Sequence, residues 1–352
     1  MVYLIQWLRC VACEAHSRRS PCVGSFFNIC YHYLTEEVNL NRKIFLTYTE
    51  QIDKLKNEKA LIINDIPYAA SVLKKLSFFS LIGGYKAPFR ASAAQKFIRG
   101  VTFEEIVAFY YFDEQLRTLF FKYIIHVEKH IKSLLSYHFC DKYGENQSEY
   151  LDINNYTVTR HNAKDVQRLI SSLQNSISLP SHYSYITHHA GVYGNVPLWV
   201  ATNALTFGQI SKLYQYIPND IQCKISREFD NVSERQLHQF MRVLTTCRNV
   251  CAHGERLFSF AINETIPDTV LHEKLNIPRH KGQYICGKRD LFGVLIALRY
   301  LLDSNEFREL KLALTKLINS VSYDCPHITK HQLLAFMGFP ENWGKITAYR
   351  KI

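Results

Sequence analysis

The segment from Thr102 to Gly144 decides the fold and reads TFEEIVAFYYFDEQLRTLFFKYIIHVEKHIKSLLSYHFCDKYG. Thr102 and Glu105 have the spacing of a capping box, which starts a helix. Apolar residues then recur at steps of three, four and seven, as they do along one face of a helix: Ile106, Phe109, Leu116, Phe120, Ile124, Val127, Ile131 and Leu135. The segment therefore predicts one long helix that ends near Tyr143, before Gly144.

The rest of the chain also predicts helices. Ser233 and Gln236 form a second capping box, ahead of the helix that carries residues 248–253. Further helices are predicted for 49–58, 66–76, 159–177, 290–303 and 305–321, and others open at Pro197 and Phe207. The stretch that contains His182, His188, His189 and Gly194 is interpreted as a connection. Strand-like alternation is scarce, so we expect an all-α fold.

Composition limits the class of protein. The chain has 352 residues, 47% of them apolar, which is enough to bury a sizeable core. Lys and Arg number 42 against 31 Asp and Glu, which gives a net charge of +11 and favours a polyanionic partner. Because the positive residues are spread along the chain, a folded basic groove is favoured over a basic tail.

Ten cysteines divide into two groups. Six lie among apolar helical segments, from residue 140 onward, and are expected to be small buried side chains in a reducing compartment. The other four lie in the first 30 residues, near two histidines: Cys10, Cys13, Cys22, Cys30, His16 and His32. A zinc site there is conceivable, but a second paired spacing is missing. We therefore expect no metal and no other cofactor.

The first residues differ from the remainder of the chain. Residues 1–41 are rich in cysteine and lack clear periodicity, so we interpret them as a poorly defined N-terminal extension. Residues 42–352 form the expected helical domain, with an N-terminal helical part at 42–100 and a core at 101–330. Residues 1–13 fit neither a signal peptide nor a membrane span, and the later apolar run at 291–302 contains Arg299. We expect a cytoplasmic protein that does not associate with membranes.

A short motif carries the candidate chemistry: Arg248-Asn249-Val250-Cys251-Ala252-His253, followed by Gly254. Arg binds phosphate through a planar set of donors, and His is the usual side chain for moving a proton at neutral pH. On a continuous helix Arg248 and His253 lie roughly 140° apart. Gly254 favours a helix end near His253, because Gly takes the left-handed conformation after a helix. The alternative is that His253 only compensates the helix dipole.

Several enzyme classes are disfavoured because their motifs are missing from the sequence. There is no G-x-x-x-x-G-K-[ST] phosphate loop and no G-x-G-x-x-G fingerprint. There is also no G-x-S-x-G nucleophile turn and no H-E-x-x-H zinc helix. These absences argue against an NTPase, a Rossmann dehydrogenase, a serine hydrolase and a zinc protease.

Nine blocks, in order over roughly residues 43–320, resemble the Abi-like (abortive infection) family of bacterial proteins. They are Tyr48-Thr49-Glu50-Gln51-Ile52, Phe79-x4-Gly84-Tyr85-x3-Phe89, Phe112-Asp113-Glu114-Gln115-Leu116-Arg117, Val127-Glu128-x2-Ile131-Lys132, Tyr143-Gly144, Tyr150-Leu151-Asp152, Val196-Pro197-Leu198-Trp199-Val200, Phe207-Gly208-Gln209-Ile210-Ser211-x-Leu213 and Arg248-Asn249-x3-His253. That family in turn resembles the HEPN superfamily of helical ribonucleases, whose active site is an R-x4-6-H motif. Residues 1–41 fall outside the resemblance.

The resemblance implies a HEPN-like helical bundle with additional N-terminal helices, and Arg248, Asn249 and His253 as its catalytic residues. It implies a metal-independent endoribonuclease of a phage-defence or toxin-type system, with RNA as substrate and a non-coding RNA as a further partner. It also implies that two HEPN units pair into one composite site. The alternatives are a non-catalytic RNA-binding or antitoxin-like module and a purely structural helical scaffold.

Two surfaces follow from these expectations. Four cations on the long helix are candidate RNA contacts, with an ordinary solvated face as the alternative: Arg117, Lys122, Lys129 and Lys132. For a homodimer, the candidate interfaces are the apolar stripe of the long helix and the helix of the motif. The other possibility is an internal pairing, in which the helix around residues 117–132 acts as a degenerate second unit and Glu128 or His126 replaces the missing partner.

Overall fold

The computed structural model describes residues 44–90 and 96–349. Contacts divide the chain into two units, Met1–Thr47 and Tyr48–Ile352, and the architecture given below is that of the second unit. The expectations for the cysteine-rich extension, including the zinc site near Cys10 and Cys13, lie outside the described residues. The domain limits taken from the sequence stay predictions.

The described residues are built almost wholly from helices, which confirms the predicted all-α class. The α-helices are α1 (Tyr48–Asp53), α2 (Ile66–Leu76), α3 (Phe103–Tyr143), α4 (Gln147–Leu151), α5 (Ala163–Ile177), α6 (Ser184–Tyr193), α7 (Leu198–Ala201), α8 (Phe207–Tyr216), α9 (Asn219–Ser226), α10 (Glu234–Ala252), α11 (Val270–Lys274), α12 (Leu291–Leu301), α13 (Ser304–Asp324) and α14 (Lys330–Met337). Single π-helical turns span Lys54–Glu58 and Phe79–Gly83, and 3-10 turns span Ala87–Phe89, Ile153–Asn155, Thr202–Ala204 and Trp343–Thr347. A small antiparallel hairpin pairs β1 (Arg279–His280) with β2 (Gln283–Tyr284).

Helix α3 is the central element of the core. All eight residues of its predicted apolar stripe are buried, with exposed fractions of 0 or 1%. Helices α10 and α13 pack along α3 most extensively, and α12 contacts both α3 and α10. The stripe is therefore covered by helices of the same chain. The expectation that this stripe forms a dimer interface is wrong, because burying it within one chain leaves it no accessible surface.

The helix ends agree with the sequence where capping residues specify them. In α3 the Thr102 amide donates to Glu105 Oε1 at 3.2 Å, and the Glu105 amide donates to Thr102 Oγ1 at 3.3 Å. Ser233 and Gln236 form the equivalent box at the start of α10. These contacts involve neighbours in sequence, so local residue types are sufficient to predict them.

Other elements differ from the expectations. The stretch interpreted as a connection near His188 is helix α6, which buries one residue, Ile186. Helices α9, α11 and α14 and the β-hairpin were not expected either. The helix that opens after Pro197 lasts a single turn, α7. Short helices with few buried positions give too little apolar periodicity to be recognised from the sequence.

The six described cysteines all carry free thiols. Cys247 and Cys325 are buried, as expected, while the other four are half-buried. Over residues 44–90 and 96–349 no three His, Cys, Asp or Glu side chains cluster as a metal site requires. A helix long and apolar enough to cross a membrane is also absent from this part of the chain.

A close approach of two helix ends ties α14 to α12. The carboxylate of Asp290 caps α12 by accepting hydrogen bonds from the amides of Gly287, at 2.8 Å, and Gly293, at 2.9 Å. Burial raises the pKa of Asp290 to about 6. Gly338 ends α14 in the left-handed conformation, with φ of 72°, and a Cβ atom there would overlap the Asp290 carboxylate. This junction therefore requires glycine for two reasons.

We predict that Gly338→Ala destabilises the fold by about 2–5 kcal/mol, the sum of a left-handed alanine and an overpacked contact. The matched control is Gly194→Ala, because Gly194 has φ of 62° but no atom within 4 Å of its Cβ position. The control should lose only about 1–2 kcal/mol, from the backbone conformation. Urea unfolding of both variants gives the comparison, and equal losses would contradict a contact between residue 338 and Asp290.

Candidate functional site

Helix α10 ends at the motif as the sequence predicts. The last helical residue is Ala252, His253 is the C-cap, and Gly254 is left-handed with φ of 68°. The Gly254 amide donates to the Cys251 carbonyl at 3.3 Å, and the Glu255 amide donates to the Val250 carbonyl at 3.0 Å. These two bonds form a Schellman motif. The chain consequently turns away from the helix axis directly after His253.

His253 and Asn249 present free polar groups at this helix end. Both side chains are exposed, and the His253 amide donates to the Asn249 carbonyl at 2.9 Å. Residues four apart lie on one side of a helix, so the imidazole and the amide share the same face. Neither side chain has a hydrogen-bond partner among the residues that the structure describes. Both groups are therefore available to a ligand.

Arg248 points towards helix α3. Its Nε atom lies 3.7 Å from Glu128 Oε2, and its Cζ atom lies 5.8 Å from the centre of the Phe121 ring. The distance of 3.7 Å is too long for a hydrogen bond, so the contact with Glu128 is an ion pair. The Arg248 side chain is 28% exposed. Part of it therefore reaches solvent while α3 fixes its direction.

Glu128 is a buried carboxylate held between two cations. Its side chain is 7% exposed, and Oε1 lies 2.8 Å from Lys132 Nζ. Lys132 also donates to the Leu205 carbonyl, at 2.8 Å. Glu128 follows Phe121 by two helical turns, which places both contacts of Arg248 on one face of α3. Arg248 and Lys132 carry two positive charges against the single negative charge of Glu128, so these three side chains have a net charge of +1.

Glu128 and His126 are the two candidates for the second group of a single-chain site, and they have different partners in the structure. Glu128 contacts Arg248, whereas His126 Nδ1 lies 2.7 Å from Glu306 Oε1, on α13. Phe121, which lies against the guanidinium of Arg248, was not expected from the sequence. Phe121 precedes Glu128 by seven residues, which places both on one face of a helix, and this spacing is the sequence signal that links Phe121 to the site.

The residues after Gly254 are fixed by one buried carboxylate. Asp113, with 0% exposure, accepts hydrogen bonds from the Phe258 amide at 2.7 Å and from the Leu257 amide at 3.1 Å. Backbone amides of this segment are therefore paired with a side chain of α3. The Schellman turn and these bonds together determine where α10 ends relative to α3.

Arg117 and Tyr85 complete this network. Arg117 Nη1 donates to Asp113 at 2.6 Å and to the Glu255 carbonyl at 3.3 Å, and the Tyr85 hydroxyl donates to Asp113 at 2.8 Å. Burial raises the pKa of the Asp113 carboxyl, while Arg117, Tyr85 and the two amides act in the opposite direction. Burial also raises the pKa of Tyr85, so its hydroxyl remains a donor.

The four cations proposed as RNA contacts lie in two different environments. Arg117 is 5% exposed and belongs to the Asp113 network, and Lys132 is occupied by Glu128 and Leu205. Lys122 and Lys129 are exposed. Arg117 is buried and paired, and the ammonium group of the half-buried Lys132 is bound on two sides, so neither cation belongs to the candidate RNA surface. For Lys122 and Lys129 RNA contact stays a prediction.

Fold and site together define an all-α protein with an Arg-x4-His motif at a helix end, whose histidine is exposed and whose arginine is half-buried. The family described as Abi-like protein matches residues 71–259, which is more than half of the 352 residues. The chain therefore belongs to the Abi-like family, and this membership associates it with abortive infection, a form of phage defence. The matched range contains the Asp113 network, Glu128 and the motif. Searches of curated proteins and of solved structures found no match.

We predict that Asp113→Asn destabilises the fold by about 3–5 kcal/mol, because it leaves the buried Arg117 guanidinium without a counter-charge. Tyr85→Phe removes one hydrogen bond and should cost about 1 kcal/mol. Glu114→Gln is the control, since Glu114 is the adjacent exposed carboxylate on α3, and its change should stay within about 0.5 kcal/mol. Denaturant unfolding measures all three, and a loss at Asp113 no larger than the control would show that the network adds no stability.

Proposed function

We propose that the chain is a metal-independent endoribonuclease of the HEPN type that acts in phage defence or as a toxin. The observation that supports this proposal is the arrangement at the end of α10. His253 and Asn249 have exposed side chains without a hydrogen-bond partner among the described residues, and they share the end of α10 with Arg248, which a buried carboxylate directs. Proton transfer and phosphate binding are the two requirements for cleaving RNA without a metal ion.

In the proposed reaction His253 takes the proton of a ribose 2′-hydroxyl. The 2′-oxygen then attacks the adjacent phosphorus, and the bond from phosphorus to the 5′-oxygen breaks. Arg248 stabilises the negative charge that develops on the phosphoryl oxygens, and Asn249 orients the phosphate. The departing 5′-oxygen takes up a proton. The products carry a 2′,3′-cyclic phosphate and a 5′-hydroxyl.

RNA is the proposed substrate, and a non-coding RNA is a proposed further partner. The net charge of +11 favours binding of a polyanion. Phe121 and Glu128 contact Arg248 from α3, and Lys122 and Lys129 are the residues directly after them. They consequently lie about 100° around the helix from Phe121 and Glu128. The proposed RNA path runs over this exposed side of α3 towards His253.

The proposal predicts that His253→Ala lowers the rate of RNA cleavage by about 10²–10⁴-fold, as is typical for loss of an acid–base group. Arg248→Ala should lower it by about 10²–10³-fold, as loss of a charge-stabilising donor does. The controls are His161→Ala and Arg160→Ala, which remove an exposed histidine and an exposed arginine elsewhere. Cleavage of a labelled RNA in excess EDTA, with analysis of the product ends, measures the effect.

Three results would contradict the nuclease. They are strict dependence on Mg²⁺, equal cleavage of DNA that lacks 2′-hydroxyls, and full activity of His253→Ala. Tight RNA binding by a wild-type protein that never cleaves, even during phage infection, would favour the alternative of a non-catalytic RNA-binding or antitoxin-like module. Growth arrest on expression that Arg248→Ala abolishes would favour the enzyme.

We further propose that two copies of the chain form the complete site. A single motif supplies one imidazole, whereas the reaction uses a base for the 2′-hydroxyl and an acid for the 5′-oxygen. A two-fold axis near the end of α10 would bring two His253 side chains to one phosphate through a single self-complementary patch. The exposed last turn of α10 is the proposed contact, since the stripe of α3 is buried. The alternative is a single-chain site in which Glu128 is the second group.

Mixing Arg248→Ala protein with His253→Ala protein should restore part of the cleavage activity, because a mixed dimer assembles an intact site from the two chains. The expected recovery is a fraction of the wild-type rate, measured after the two proteins have exchanged subunits. Each variant alone is the control. Two results together would contradict the shared site and favour the single-chain alternative. The wild type would remain active at dilutions where it is monomeric, and mixed dimers of the two variants would form without any recovery of activity.

A further inference from the structure

A second cluster of cations lines a cavity away from the motif. The cavity has a volume of about 220 Å³ and lies between the end of α12, the first half of α13 and the 3-10 turn Trp343–Thr347. Its polar lining comes from Arg299, Arg308, Lys311, Ser304 and Thr347. No acidic side chain belongs to the lining. We call this cavity the α12–α13 pocket.

Three cations supply the positive charge of the pocket: Arg299, Arg308 and Lys311. Neither Arg299, Arg308 nor Lys311 forms a salt bridge with a residue in 44–90 or 96–349. Arg299 is the most informative, because its Nε atom is buried without a hydrogen-bond partner. Its guanidinium lies over the Phe307 ring, with Cζ 5.3 Å from the ring centre. Lys311 Nζ donates to Thr347 Oγ1 at 2.7 Å, which holds it at the pocket wall.

The acidic residues of the same helix are occupied elsewhere. Glu306 contacts His126, and Glu309 accepts a hydrogen bond from Tyr123, so both turn towards α3. Asp303 caps the start of α13 by accepting from the amides of Asn305 and Glu306. The charge of Asp230 raises the pKa of Arg299, but this effect is smaller than that of burial, which lowers the pKa. The pocket therefore keeps an excess of positive charge.

An unpaired, half-buried guanidinium costs free energy unless an anion approaches it. Three cations match a group of two or three negative charges better than the single charge of a phosphodiester. Terminal phosphates carry a charge of about −1.5 to −2 at neutral pH, and arginine binds them through paired donors. We propose that the α12–α13 pocket binds the terminal phosphate or diphosphate group of a small molecule, and that Arg299, Arg308 and Lys311 supply the positive charge.

The pocket is separate from the motif at His253. Tyr300, next to Arg299, stacks on Phe240 of α10, with ring centres 5.6 Å apart. From Phe240 to His253 the helix axis advances by about 20 Å. Binding in the pocket therefore does not depend on the proposed nuclease, and its test needs no RNA cleavage.

Isothermal titration with inorganic pyrophosphate, in buffer without divalent metal, tests the proposal. Wild-type protein should bind one pyrophosphate per chain, and Arg308→Ala and Lys311→Ala should each raise the Kd by about tenfold or more, as loss of a hydrogen bond to a charged group does. Arg299→Met should do the same while it keeps the packing on Phe307. Arg160→Ala is the charge-matched control, and its Kd should stay within about twofold of wild type because it lies in an exposed turn.

Arg308 is exposed, so its substitution leaves the fold intact and keeps the test decisive even where Arg299→Met unfolds the protein. The absence of saturable binding to wild type, or an equal Kd for wild type and Arg308→Ala, overturns the proposal. The proposal is also overturned if the variants weaken the binding of an oligonucleotide without terminal phosphates but leave the binding of pyrophosphate unchanged. Titration with ADP separates the sources: ADP binding more tightly indicates a nucleotide, and equal affinity indicates free diphosphate.

Discussion

The buried carboxylate of Asp113 is the interaction on which the rest of the structure depends. It joins three segments that are far apart in the sequence: the residues around Tyr85, the first third of α3, and the irregular segment after His253. A charge with 0% exposure is tolerable because five hydrogen bonds reach its two oxygens. Since Leu257 and Phe258 are bound there, the end of α10 has a fixed place against the central helix.

The motif uses this fixed place in two ways. The Schellman turn at Gly254 exposes His253 and Asn249 at the helix end, while Glu128 and Phe121 direct Arg248 from α3. Lys132 adds a second positive charge at Glu128, so the ion pair leaves the surroundings of Arg248 positive. The α12–α13 pocket has a different charge balance, since three cations and no carboxylate of the described residues line it. The proposed RNA surface near Arg248 matches a polymer with one negative charge per phosphate, and the α12–α13 pocket matches a compact group with several negative charges.

Helix ends and buried faces were largely predictable from the sequence. The start of α3 at Thr102, the start of α10 at Ser233 and its end at His253 all depend on residues within one turn of each other. The burial of Ile106 and its companions also followed from their spacing. Helix α6 was missed, because its single buried residue, Ile186, creates no periodic signal. Phe121 was missed as well, since its role arises only when α10 lies against α3.

The sequence by itself determined that α3 has one apolar face and that the motif lies at a helix end, because both follow from local spacing. Only the tertiary structure decided what covers that face: α10 and α13 of the same chain rather than a second copy. It also decided which cations remain free. Arg117 and Lys132 each follow a carboxylate by four residues, Asp113 and Glu128, and this spacing is visible in the sequence. The carbonyls that bind the same two cations, those of Glu255 and Leu205, lie 138 and 73 residues away. Burial of a charge depends on such distant partners, and local spacing does not encode them.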